Sequence, residues 1–214
     1  MLPACLVALV LMMDASGSVP DSMFRAQRDG AAAAFEDPAL QRGIERSGGI
    51  AVLAGIFDGR PDTRVPWQLI RDAGEARRFA RDLRRVERAA AGGTTAIGAA
   101  IAHAHRAIAE APCAPERALI DISTDGFETD TRIPARAARD AALDGGIVVN
   151  AIAFQPQDDF GGGEAWVGMV LEEAEAWLRD NVATGFVRVA RDPSGFGDAM
   201  RSKVILEITL YAPP

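Results

Sequence analysis

The chain has 214 residues, of which 49 % are hydrophobic and 25 % charged, and it carries a net charge of −7. That is the composition of an ordinary globular protein, long enough to bury roughly 70 % of its unfolded surface. The acidic balance and the lack of any Lys/Arg run exclude a nucleic-acid-binding face, which needs a basic surface to displace counterions.

Residues 1–13 (MLPACLVALVLMM) are almost wholly apolar. They lack the basic start and small-residue cleavage site of a signal peptide, and the run is too short to cross a bilayer. No membrane insertion is expected, and any export leader belongs to a longer precursor. Residues 5–13 read as a buried first strand with no polar face, as a parallel strand covered on both sides should be. Residues 21–35 follow as a helix, with Phe24, Ala31 and Phe35 at helical spacing. Residues 50–57 form a second strand. Turn signals at Asp58-Gly59 and Arg60-Pro61 then lead to a short third strand near Val65, in a hairpin pattern.

Ala76, Phe79, Ala80, Leu83 and Val86 make a helical stripe. Ile97, Ile101, Ala104 and Ile108 make another, opened by the turn Gly92-Gly93-Thr94-Thr95. A strand over residues 117–123, an Ala-rich helix over 135–143 and a strand over 147–153 come next. Val167, Val170, Leu171, Ala174 and Trp177 mark a helix, residues 185–189 a last strand, and residues 197 to about 204 a last helix. The closing ILEITLYAPP is expected to be an ordered tail. Alternating strands and helices specify an α/β fold: a three-layer, doubly wound, mostly parallel sheet with one antiparallel edge strand. Without repeats or linkers, residues 1–214 are expected to form a single domain. In such folds ligands sit beyond the carboxyl ends of the strands.

Three segments fall there. Asp14-Ala15-Ser16-Gly17-Ser18 follows the first strand, Gly93-Thr94-Thr95-Ala96-Ile97-Gly98 opens a helix, and Ser123-Thr124-Asp125-Gly126 closes the 117–123 strand. Each alone is a serviceable helix cap or turn. Together they offer two carboxylates and three hydroxyls. An all-oxygen set suits a hard cation, Mg²⁺ first, with Mn²⁺ or Ca²⁺ as substitutes. If hydroxyls bind the metal directly and the carboxylates act partly through water, one position stays open for a partner's Asp or Glu. That requires the three loops to converge.

The D-x-S-x-S, G-T-x-x-G and T-D-G triplet resembles the metal-ion-dependent adhesion site of von Willebrand factor A domains. The resemblance implies Asp14, Ser16, Ser18 and Asp125 as metal ligands, with Thr95 or Thr94 supplying the middle hydroxyl. The stretches QRDGAAAAFEDP, VPWQLIRDA, GGTTAIGAAI, ALIDISTDG, RDNVATGF and RSKVILEI further resemble a bacterial branch, the domain-of-unknown-function family 1194. Where that branch is expected to carry S-G-D-G-P-N-N, this chain has S-T-D-G-F-E-T, so the rim around Asp125 should differ. In A domains the strands that carry Asp14 and Asp125 are parallel neighbours. The resemblance therefore implies a Cys5–Cys113 disulfide at the opposite pole, and with it a periplasmic or secreted location; two free buried thiols are the alternative.

The implied function is a metal-dependent protein-binding module without catalytic activity, whose partner offers a carboxylate. A Mg²⁺-dependent phosphoryl-transfer enzyme using Asp14 is the alternative, weakened because Ser16 stands where a second acid is usual. A third reading is a structural module whose loops are only caps. His103 and His105, at i and i+2, face different ways; His105 is expected to pack and His103 to be solvated. No G-x-S-x-G elbow exists. The loop Gln155 to Glu164, with Asp158, Asp159, Phe160 and the nearby Trp166, is either a partner-contact rim or a plain surface loop.

Overall fold

A computed structural model describes residues 2–88, 93–154, 171–190 and 193–209. The elements run β1 (Ala4–Asp14), α1 (Asp21–Glu36), α2 (Pro38–Arg46), β2 (Ile50–Phe57), β3 (Pro61–Ile70), α3 (Ala73–Arg84), α4 (Ile97–Ile108), β4 (Ala114–Thr124), α5 (Ala135–Asp144), β5 (Ile147–Phe154), α6 (Leu171–Asn181), β6 (Val187–Ala190) and α7 (Pro193–Thr209). The strands form a six-stranded sheet in the order β3-β2-β1-β4-β5-β6. Only the β2–β3 pairing is antiparallel. The sheet is thus doubly wound outward from β1, as the sequence implies.

Both faces of the sheet are covered, and the two-residue period of a strand sorts its side chains between them. From β1, Leu9, Leu11 and Met13 join the core beneath α1, α2, α3 and α7. Val10 and Met12 face the other way, into the core beneath α4, α5 and α6. On β4, Leu119 joins the first of these layers, while Ile120 and Ile122 join the second. Asp121, between them, therefore points toward the α1/α7 side. Among the described residues no helix is long and apolar enough to cross a membrane.

Four boundaries differ from the sequence reading, each for a local reason. The third strand is ten residues long rather than short. Its Pro66 lies where the β2–β3 register shifts, between the pairs Val52–Gln68 and Ala54–Val65. A proline there is tolerated at an edge-strand irregularity instead of ending the strand. Helix α2 was not anticipated, although Asp37 caps it by accepting from the backbone N–H groups of Ala39 and Leu40, with Pro38 at its first position. The last strand is Val187–Ala190, slightly later than expected. The last helix starts earlier and runs through residues 205–209, so the first half of the expected tail is helical. Met200, Val204 and Ile208 form its apolar stripe, but Lys203 and Glu207 are buried too, which hides the amphipathic pattern.

Helices α1 and α7 approach closely at Gly30 and Gly197. A Cβ added to Gly30 would come within 2.8 Å of the Gly197 backbone. At the pole opposite the carboxyl ends of the strands, Cys5 and Cys113 form a disulfide with a Cα–Cα distance of 5.8 Å. The expected bridge is present. His103, expected to be solvated, is half-buried and its Nε2 lies 2.9 Å from Thr63 Oγ1 on the neighbouring edge strand. Burial, chiefly, and the charge of Arg106 push its pKa below the usual histidine value.

Candidate metal centre

The three segments converge. Asp14 ends β1 and is fully buried. Its Oδ1 accepts from the Ser16 backbone N–H at 2.8 Å, and its Oδ2 accepts from Thr124 Oγ1 at 2.6 Å. The Asp14-to-Ser18 turn folds back on itself, and Ser16 Oγ lies 3.1 Å from Ser18 Oγ. From the second segment, Thr95 Oγ1 donates to Ser16 Oγ at 3.3 Å. From the third, Asp125 Oδ1 accepts from Ser18 Oγ at 3.2 Å. Asp14, Ser16, Ser18, Thr95 and Asp125 thus form one connected polar patch at the carboxyl edge of β1 and β4. The two candidates for the middle hydroxyl separate cleanly. Thr95 is buried in the patch, whereas Thr94 is exposed and its Oγ1 donates to Asp130 Oδ2 at 3.1 Å.

The electrostatics of the patch are unbalanced. Asp125 Oδ2 is buried and has no hydrogen-bond partner among the described residues. Burial, and then the charge of Asp14, push the Asp125 pKa up to about 8. Burial also raises the Asp14 carboxyl above its usual range, against the hydrogen bonds from Thr124 and Ser16. Two buried carboxylates beside three hydroxyls, with one oxygen unsatisfied, are the donor set of a hard cation. The residues fit a divalent metal. The same geometry disfavours Asp14 as a nucleophile, because it has no exposed surface and both its oxygens already accept hydrogen bonds.

Several residues that hold these loops were not singled out from sequence. Arg88 gathers the first loop, donating to the carbonyls of Ala15 at 3.2 Å, Ser16 at 2.6 Å and Val19 at 2.5 Å, and pairing with Asp21. Gln27 of α1 donates to the Asp14 carbonyl at 3.0 Å and accepts from Ser123 Oγ at 2.7 Å, linking the first and third loops. Gly93, part of the turn read from the sequence, packs against the turn after β2, where an added Cβ would collide with the Asp58 carbonyl.

The unusual stretch Phe127-Glu128-Thr129 has a clear role. Glu128 accepts from the N–H of Gly98, in the first turn of α4, at 2.7 Å and from that of Ala135, in the first turn of α5, at 2.9 Å. Thr129 Oγ1 accepts from the Thr95 N–H, and the N–H groups of Thr129 and Asp130 both donate to the Thr95 carbonyl. The rim differs from the expected pattern, yet it clamps the loop that carries Thr95. Arg88 and Gln27 lacked a local signal, since their partners lie far away in sequence, about 70 residues for the carbonyls that Arg88 holds. The expected contact rim, Gln155 to Glu164 with Asp158, Asp159 and Phe160, and also Trp166, lies outside the described residues.

A family model described as "Protein of unknown function (DUF1194)" matches residues 4–212, and the chain belongs to that family. No curated protein matches it. Among solved structures, proximal thread matrix protein 1 from the mussel byssus, with a zinc-occupied MIDAS motif, matches with a TM-score of 0.70 at 15 % identity over 96 % of this chain and 48 % of that one. A von Willebrand factor type A protein from Catenulispora acidiphila matches with a TM-score of 0.60 at 19 % identity, over 96 % of this chain and 43 % of that one. BatB from Bacteroides thetaiotaomicron gives a TM-score of 0.56 at 19 % identity, over 95 % and 99 %. The chain spans about half the length of the mussel protein. The fold is that of von Willebrand factor A domains.

Proposed function

We propose that this member of the family, with residues 1–214 as one domain, is a Mg²⁺-dependent protein-binding module without catalytic activity. Asp14, Ser16, Ser18, Thr95 and Asp125 hold the metal. The observation that carries the reading is the buried pair Asp14 and Asp125, wrapped in hydroxyls, with Asp125 Oδ2 lacking any partner. The bound metal supplies an electron-poor centre that attracts an anionic oxygen. The chain's own residues set its environment. Arg88, Gln27 and the Glu128–Thr129 clamp fix the three loops, and the hydroxyl-rich donor set leaves the metal incompletely neutralised. An Asp or Glu carboxylate from a partner protein completes it.

Support for a metal-binding adhesion role also comes from the mussel byssus protein, whose MIDAS motif holds zinc. The Cys5–Cys113 disulfide supports an oxidising compartment, periplasmic or extracellular. The test is calorimetric titration of EDTA-stripped chain with Mg²⁺ and Mn²⁺, beside an Asp14→Ala, Ser16→Ala double variant. Saturable binding by the natural chain alone is expected. No binding, or equal binding by the variant, contradicts the assignment.

A further inference from the structure

A second set of buried charges lies inside the fold, away from the metal-ligand patch. Lys203 and Glu207, one turn apart on α7, point into the sheet and meet Asp121 of β4; all three are at most 1 % exposed. Lys203 Nζ forms an ion pair with Asp121 Oδ1, and Asp121 Oδ2 has no hydrogen-bond partner among the described residues. The same Nζ donates to Glu207 Oε1 at 2.7 Å. Asn150, paired with Asp121 across the β4–β5 ladder, donates to Glu207 Oε1 at 2.9 Å. Its own orientation is set by the Phe186 N–H, which donates to Asn150 Oδ1 at 3.0 Å. The Phe186 ring closes the site 5.5 Å from Nζ. Glu207 Oε2 has no partner.

We propose that this trio forms an intramolecular amide cross-link between Lys203 Nζ and the Asp121 side-chain carboxyl, with Glu207 as the proton carrier. The starting ion pair is costly, because taking an ammonium and a carboxylate out of water costs several kcal/mol per ion. Condensation removes both charges. Proximity supplies the rate, since groups held in contact react with effective molarities far above any solution value.

The proton inventory closes without an oxidant or co-substrate. An ammonium and a carboxylate become an amide and one water. Nζ passes one proton to Asp121 Oδ1 across their ion pair, and the free amine attacks Asp121 Cγ, forming the C–N bond. Glu207 Oε1 accepts a further Nζ proton across the 2.7 Å contact. A proton on Glu207 Oε2, the oxygen without a partner, goes to the departing Asp121 oxygen, and the C–O bond breaks as water leaves. Glu207 ends as it began. Burial, and then the charge of Asp121, push its pKa up to about 8, so it holds that proton at neutral pH. Burial works against the Lys203 charge, but the charge of Asp121 and the hydrogen bond to Glu207 outweigh it, so the ammonium is the resting form and proton transfer must precede attack. The product ties α7 covalently to the strand that ends in Asp125, so the helix cannot slide along the sheet.

Intact-mass spectrometry of the full chain, denatured and reduced, tests the cross-link directly. The expected mass is that of the sequence less one water, with a proteolytic map joining the peptide of Lys203 to that of Asp121. A mass with no water lost overturns the proposal. So does a lost water that maps elsewhere, as a succinimide at Asp58-Gly59 or Asp125-Gly126 would. A Glu207→Gln chain, shown folded by its circular dichroism and cooperative melting, is expected to keep the full sequence mass. If it cross-links like the natural chain, the role given to Glu207 is overturned.

Discussion

Asp121 within strand β4 and Asp125 just beyond its end are both buried, four residues apart, and they are treated in opposite ways. Asp121 shares its site with a second carboxylate, Glu207, and with Lys203, so the cation is built into the chain. Asp125 also faces a second carboxylate, Asp14, but the groups around that pair are hydroxyls and Asp125 Oδ2 is left without a partner. The inner trio belongs to the fold, closed by α7 and Phe186. The outer pair sits at the carboxyl edge of the sheet, where a doubly wound fold exposes its ligands. The two carboxyl pairs thus mark the difference between a charge set that the chain completes itself and one that, on the proposed function, a bound metal completes.

The largest expected effect breaks the inner set. Lys203→Met removes the cross-linking amine and leaves the Asp121 and Glu207 carboxyls buried without their partner, which should cost about 3–5 kcal/mol of stability in urea denaturation. Mg²⁺ should do nothing to rescue it specifically. The next effect completes the outer set. Mg²⁺ at 100 times its Kd should stabilise the natural chain by about 2.7 kcal/mol, an effect absent from Asp14→Ala, Ser16→Ala.

The pH dependence separates the two sets further. Asp125 and Glu207 keep their protons up to about 8 in the folded chain, against ordinary values of 3.8 and 4.5. Between roughly pH 4 and 8 the folded state therefore binds more protons than the unfolded state, and stability falls as pH rises through that window. Saturating Mg²⁺ should remove the Asp125 share of the slope and leave that of Glu207. In EDTA near neutral pH, Asp125→Asn should raise stability, because it removes a carboxyl that the folded chain has to keep protonated, while abolishing Mg²⁺ binding. The smallest contrast is between neighbouring threonines. Thr95→Val should weaken Mg²⁺ binding in calorimetry by about tenfold or more, and Thr94→Val should leave it unchanged.

The outer set was legible in the sequence and the inner one was not, for a physical reason. Asp14, Ser16, Ser18, Thr95 and Asp125 sit in turns, where polar residues break a hydrophobic pattern and can be read as three motifs. The sequence left Thr94 and Thr95 open because their spacing fits two frames; only the fold turns Thr95 inward and Thr94 out. Asp121 reads as one polar position in the strand RALIDIS, Lys203 as a polar position near the end of the last helix, and Glu207 as part of the tail expected after it. Their meeting depends on α7 crossing the sheet beside β4, a contact between residues 82 apart in sequence. The same hidden pairing made the last helix look shorter than it is. The doubly wound sheet with its antiparallel edge strand and the disulfide were legible because strand periodicity and family resemblance bear on them, while α2 and the full length of β3 depended on Pro38 and Pro66, residues that more often end elements than belong to them.

The most direct test of the metal centre is an anomalous difference map from crystals of the natural chain soaked in Mn²⁺. The account predicts a single strong peak among Ser16 Oγ, Ser18 Oγ and Thr95 Oγ1, with Asp14 and Asp125 beside it. A map with no peak there, or with Mn²⁺ only at surface carboxylates elsewhere, would contradict it.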